Sequence, residues 1–227
     1  TFLFAPSIRP EYFVNCIDNR YYPLPPGRVW KYAGETAEGT ETVVITVTNQ
    51  TKVILGVTTT VIRDTVFLDG VLLEDTFDWY AQDVRGHVWY FGEEVSNYED
   101  GQFANNEGSW EAGVDGAIPG IIMLNQPLVG DTYRQEYLKG EAEDMAGVLS
   151  LNESVSVPYS NFNRVLETAD YNPLDGDLEH KYYARNVGLI KEENVATGEI
   201  TSLISVSQER AYQEEGHDCH EDEDDQD

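Results

Sequence analysis

Along most of this chain apolar and polar positions alternate with a period of two, the spacing of a strand with one buried face. In residues 41–48 two interleaved sets, Val43-Ile45-Val47 and Thr42-Val44-Thr46-Thr48, are β-branched throughout, which suits a pleated sheet. Residues 29–32, 56–67, 71–83 and 88–93 read the same way. Asn49-Gln50 is expected at a turn, and Asp69-Gly70 is a hairpin signal. The densest stretch is Asp78-Trp79-Tyr80-Ala81-Gln82-Asp83 followed by Val88-Trp89-Tyr90-Phe91-Gly92-Glu93-Glu94. It predicts an aromatic hairpin bending near Arg85-Gly86 at the centre of a core, since aromatic cross-strand pairs stabilise sheets strongly. Residues 94–128 predict one further hairpin holding Trp110, then an irregular connector marked by Pro119-Gly120.

The pattern then repeats. Gly130-Asp131-Thr132-Tyr133 corresponds to Gly27-Arg28-Val29-Trp30, and Asp175-Gly176 to Asp69-Gly70. Asn152-Glu153-Ser154 lies 22 residues beyond Gly130, as Asn49-Gln50-Thr51 lies 22 beyond Gly27. Lys181-Tyr182-Tyr183-Ala184 echoes the aromatic hairpin. The expected fold is all-β: two similar antiparallel β-meanders, an internal duplication, forming a barrel or a sandwich. An extended N-terminal strand and an acidic C-terminal tail flank them. The expected divisions are an N-terminal extension over 1–16, a first half with its connector over 17–128, a second half over 129–212, and the tail over 213–227.

Charge narrows the partners. The formal net charge is −28, with 14 Lys and Arg against 42 Asp and Glu. Nucleic acid is therefore not an expected partner, because phosphate binding needs clustered cations. No apolar run reaches the length of a membrane span, so membrane insertion is not expected. Residues 213–227 hold nine acids and no base. Copies of such a chain repel one another, so self-assembly would need salt or bound cations.

The ends carry the remaining signals. Thr1, Phe2, Leu3, Phe4 and Ala5 form an apolar start that either pairs within its own sheet or is donated to a neighbouring copy as a subunit interface. A start at Thr1 without an initiator Met is expected either of a processed secreted protein or of a chain trimmed to its mature part. Cys16 and Cys219 could form one disulfide in an oxidising compartment, within a chain or between subunits. His217, Asp218 and His220 have the ligand types of a transition metal, at a spacing too tight for a structural zinc site without another segment. Carboxylate-rich loops at 97–101, 141–144 and 175–177 offer hard oxygen ligands for calcium, though none follows the EF-hand pattern. Asn49 and Asn152 are formal N-glycosylation acceptors. No G-x-S-x-G, H-E-x-x-H, Walker loop or G-x-G-x-x-G occurs, and no enzyme activity is expected. His87 and His180 read as solvated side chains.

The hairpin spanning 78–94, with Tyr22-Pro23-Leu24-Pro25-Pro26-Gly27 through Trp30 and Gly108-Ser109-Trp110 through Gly113, resembles an uncharacterised family of bacterial secreted all-β proteins. The resemblance covers roughly residues 17–193 and implies no established activity. The two extensions lie outside it and resemble those of donor-strand filament subunits. The leading expectation is a structural subunit of an extracellular bacterial filament, polymerising head-to-tail through residues 1–5. The alternative is a monomeric secreted or cell-surface module binding calcium or carbohydrate through aromatics such as Trp79, Trp89 or Tyr90.

Overall fold

The structure is a computed structural model that describes residues 6–209. A single turn of 3₁₀ helix, Pro10–Tyr12, precedes sixteen strands. They are β1 (Phe13–Val14), β2 (Arg28–Glu35), β3 (Thr40–Ile54), β4 (Val57–Leu68), β5 (Val71–Asp83) and β6 (Val88–Glu99). Next come β7 (Gln102–Asn105), β8 (Trp110–Glu111), β9 (Ile118–Met123), β10 (Thr132–Arg134) and β11 (Glu136–Tyr137). The last are β12 (Met145–Ser156), β13 (Asn161–Tyr171), β14 (Leu178–Ala184), β15 (Gly188–Asn194) and β16 (Ile200–Gln208).

The all-β expectation holds, and the choice between barrel and sandwich falls to the barrel. Strands β2 to β6 pair in sequence order, β9 follows β6, and β12 to β16 again pair in order before β16 returns to β2. The ring is joined by one run of chain. β11 pairs with β9, while β10 pairs with β12. Between them only Gln135 turns from one ladder to the other, so closure passes through the covalent chain. All these pairings are antiparallel.

Local sequence explains the hairpins. Asp69-Gly70 turns with φ of 48° and 81°, and Leu55-Gly56 with 51° and 81°; both central residues are left-handed, as a two-residue loop matching strand twist requires. Asn49-Gln50, expected at a turn, instead lies inside β3, at a bulge between Val47 and Thr51. Asn152 sits at the counterpart in β12, where the register shifts between Ser150 and Glu153. Both acceptor asparagines are exposed, on bulges and not on turns. A long strand must bend to follow a barrel wall, and a bulge supplies that bend.

The connector expected within 94–128 also differs. Its Ile121-Ile122-Met123 run belongs to β9, a wall strand. Pro119-Gly120 reads as a turn but serves the seam: a Cβ at Gly120 would run into the backbone of Gln135 and Arg134. Replacing Gly120 with Ala should therefore force the seam apart and cost about 2 kcal/mol, measurable by urea unfolding. An unchanged midpoint would show that the seam is not closely packed.

The chain before β2 closes one end of the barrel. β1 pairs with the end of β5 in the same molecule, Phe13 opposite Asp83, and the Phe13 ring meets Phe91 edge-on at 5.6 Å. Residues 17–24 then cross the mouth. Asn19, buried, donates from Nδ2 to the carbonyls of Gly86 at 2.8 Å and Leu124 at 3.2 Å. Its Oδ1 accepts from the backbone N–H groups of Tyr21 and Tyr22. Gln82 Oε1 accepts from the N–H groups of Asp18 and Asn19, and the Asn186 N–H donates to the Arg20 carbonyl. These partners come from the β5–β6 turn, the end of β9 and the β14–β15 turn, so the segment ties three sides of the rim together. Ile17, Tyr21 and Leu24 are buried beneath it.

Candidate functional site

The aromatic hairpin supplies the wall of the barrel interior. Along β5 the inward face carries Glu74, Thr76, Asp78 and Tyr80, and the facing positions of β6 are Asn97, Val95, Glu93 and Tyr90. The Tyr80 and Tyr90 rings stack at 4.8 Å, and Trp110 meets Tyr90 edge-on at 5.2 Å. Trp79 is 5% exposed, with the Lys52 ammonium 3.4 Å above its ring. Trp89 is half-buried against Phe13. The hairpin aromatics are thus packed, and the exposed sugar platform expected of them is replaced by an inward-facing tyrosine surface.

Beneath the N-terminal plug lies a cavity of about 200 Å³. Tyr22, Pro23 and Leu24 of the plug line it, together with Tyr80, Tyr183, Trp30 and Tyr32. The Tyr22 ring lies 5.6 Å from Tyr80 and 6.4 Å from Tyr183. Deeper in, Asp64, Asp78, Asp170, Lys181 and Glu192 complete the lining. The two halves contribute alike. Asp78 and Lys181 each precede a wall tyrosine by two residues, and Asp64 and Asp170 occupy β4 and β13, the strands beside them.

The interior is electrostatically tense. Asp78 and Glu93 face each other directly across β5 and β6, an arrangement that penalises two charges. Burial raises both carboxyls above the ordinary range, and Asp78 adds to the rise at Glu93. Tyr90 donates to Asp78 Oδ1 at 2.7 Å and moderates the rise there. Glu136 at the seam is pushed up to about 7 by burial and by Asp144. Asp144 itself is pushed up to about 6 by burial, against the pull of Lys181. Asp64 is driven well above the carboxylate range, first by burial and then by Asp78 and Glu192. The cavity-facing tyrosines Tyr22, Tyr32, Tyr80 and Tyr183 are all raised by burial and stay neutral.

Among the described residues Lys181 is the single cation in the lining. Its Nζ lies 3.3 Å from Glu192, 3.3 Å from Glu179 and 3.9 Å from Asp170. Burial works against its charge, and Glu192, Asp170 and Glu179 together outweigh that, holding its pKa well above the lysine range. Asp170 is fixed by Thr168 at 2.6 Å and Gln135 at 3.0 Å, so the seam residue also orders the site.

Most residues singled out in the sequence lie elsewhere. Thr1, Phe2, Leu3, Phe4 and Ala5, like His217, Asp218, Cys219 and His220, lie outside the described residues. Cys16 is half-buried just before the plug. His87 Nδ1 accepts from the Asn125 N–H at 3.2 Å, and His180 pairs with Glu167 at 3.1 Å, so neither is merely solvated. Among the described residues no group of three or more His, Cys, Asp or Glu is placed to hold a metal ion, the calcium loops included. The cavity acids were missed although a signal existed. Asp64 shares the period-two face of Thr60 and Ile62, and Asp78 that of Thr76 and Tyr80; a charge on the apolar face of a strand is the mark of a built interior.

No family model matches the chain, and no curated protein matches it. Two crystal structures are similar in outline. One is a candidate lipoprotein from Parabacteroides distasonis, 14% identical, with a TM-score of 0.45 over 86% of this chain and 100% of that one. The other is a candidate exported protein of YmcC-like fold from Bacteroides fragilis, 16% identical, with a TM-score of 0.36 over 84% of this chain and 100% of that one. Likeness at this level supplies no function.

Proposed function

We propose that this protein is an exported or cell-surface binding module that holds a small ligand inside its barrel, without turnover. The observation that carries the reading is the cavity itself. Its walls set four tyrosines and five ionisable groups among apolar side chains, whereas a barrel interior that serves only stability is filled by interlocking aliphatic side chains. Concave sites with a few convergent polar groups are where small molecules bind. Among the described residues no helix is long and apolar enough to cross a membrane.

The filament reading makes different demands. It needs residues 1–5 to complete the sheet of another copy, and the Cys16–Cys219 pairing and bound calcium belong with it as proposals. What weighs against it is that β2–β6, β9 and β12–β16 each pair on both sides, so that among the described residues the ladder ends only at the short strands β10 and β11. Two measurements separate the readings. Sedimentation should show a monomer both for the full chain and after deletion of residues 1–10. Ligand-observed NMR with a fragment library should find hits that compete for one site and disappear in Ile45→Trp, which fills the cavity from β3. A polymer that depends on residues 1–10, or hits indifferent to Ile45→Trp in a folded variant, would overturn the binding-module reading.

A further inference from the structure

We infer that the barrel cavity is a site for a small organic cation, whose ammonium group pairs with Asp64 inside a ring of tyrosines. The inference rests on the binding-module reading and names the ligand class.

Every other charge in the lining has a counterpart. Lys181 is engaged by Glu192, Glu179 and Asp170. Asp170 also accepts from Thr168 and Gln135, and Asp78 accepts from Tyr90. Asp64 is different. It lines the cavity, between Ile45 of β3 and Thr76 of β5. Its Oδ1 is shut off from solvent and accepts no hydrogen bond. A buried acceptor left unsatisfied is costly, and a ligand bringing a positive charge or an N–H group would satisfy it.

The remaining walls fit the same occupant. Trp30, Tyr22, Tyr32, Tyr80 and Tyr183 line the space, and aromatic rings attract ammonium groups, most strongly where water is excluded. The volume of about 200 Å³ falls below the range of sites for drug-sized molecules, so the ligand has few heavy atoms. A metal ion fits less well, because no three-ligand set is assembled among the described residues.

Binding should also be linked to protons. The groups that bear on Asp64 are Asp78 and Glu74 of β5, Glu192 of β15 and Lys181 of β14. Tyr32 of β2 and Tyr22 of the plug line the same space. Burial, Asp78, Glu192 and Glu74 raise its pKa against the pull of Lys181, so Asp64 holds a proton more tightly in the empty site than an ordinary carboxyl does. An entering cation displaces that proton, so affinity rises with pH.

Calorimetry with choline and tetramethylammonium, with 3,3-dimethylbutanol as the uncharged isostere of choline and KCl as the inorganic control, tests the assignment. The ammonium probes should bind roughly tenfold or more tightly than the neutral isostere. They should bind more tightly at about pH 8 than at about pH 6. Asp64→Asn should weaken ammonium binding by roughly tenfold or more while its melting temperature stays at or above that of the parent. Equal binding by the neutral isostere, competition by KCl at matched concentration, or unchanged binding in Asp64→Asn would overturn the cation assignment and leave the binding-module reading standing. If the fragment screen is also empty, both readings fall.

Discussion

Lys181→Met is expected to lower the stability of the folded chain by about 2 kcal/mol at neutral pH, below the loss on removing one partner from a fully buried ionic group, because Lys181, Glu179 and Glu192 are partly exposed and solvent screens them. Methionine retains the length and apolar stem of lysine, so packing changes little. What disappears is the charge that neutralises Glu192, Glu179 and Asp170, all within 4 Å of Nζ. Those carboxylates then face one another in a region already crowded by Asp64 and Asp78. Urea unfolding of Lys181→Met, Glu192→Gln and the double variant measures the coupling. The double variant should regain part of the loss, because one uncompensated charge has gone with its partner. A single variant as stable as the parent would mean that Lys181 is not the counterion of this interior.

The second large effect is one of pH. Mild acid should stabilise this protein, on the order of 3 kcal/mol between pH 8 and pH 5, where many proteins hold steady or weaken. The carboxyls of Asp78, Glu93, Glu136 and Asp144 all have folded pKa values raised by burial. A group raised in this way binds its proton more tightly when folded than when unfolded. Its stabilising contribution is complete below the unfolded carboxylate range and is lost as the pH climbs through the folded value, about 7 for Glu136 and about 6 for Asp144. Glu193, held down by Lys191, works in the opposite sense; it stands near the surface, where solvent screens the pair. Chemical unfolding at the two pH values reads the effect directly. Glu93→Gln should flatten the curve and raise stability at pH 8, because it removes the charge facing Asp78. Stability that climbs from pH 5 to pH 8 would contradict the raised values.

Some elements of this architecture are plain in the sequence. β3, β4 and β5 follow from β-branched alternation, and the hairpin at Asp69-Gly70 follows from two residues suited to left-handed φ. The bulges near Asn49 and Asn152 stand at matched positions in the sequence, yet Asn49-Gln50 reads as a turn, because a short Asn-containing segment does not distinguish a chain reversal from a bend inside a long strand. β9 was hidden for a related reason. Pro119 and Gly120 break the local pattern, and their purpose appears only where the backbone of Gln135 passes close by. The candidate site was the least legible part. Acidic runs mark loops and chain ends, while the informative acids are single residues embedded among core positions.

By itself the sequence determined an all-β chain, its strand spacing, its tight turns and the aromatic hairpin at 78–94, since each depends on contacts between near neighbours. Only the tertiary structure decided that the sheet closes into a barrel at residues 132–137, and that the segment before β2 roofs one end. It also decided that Asp64, Asp78, Asp170, Lys181 and Glu192 share one cavity. The physical reason is the period of two. Alternation separates the faces of a strand, but it cannot say that the face carrying Tyr80 and Asp78 encloses a space. That depends on register between strands more than a hundred residues apart, where Asp64 of one half and Lys181 of the other come to face the same interior.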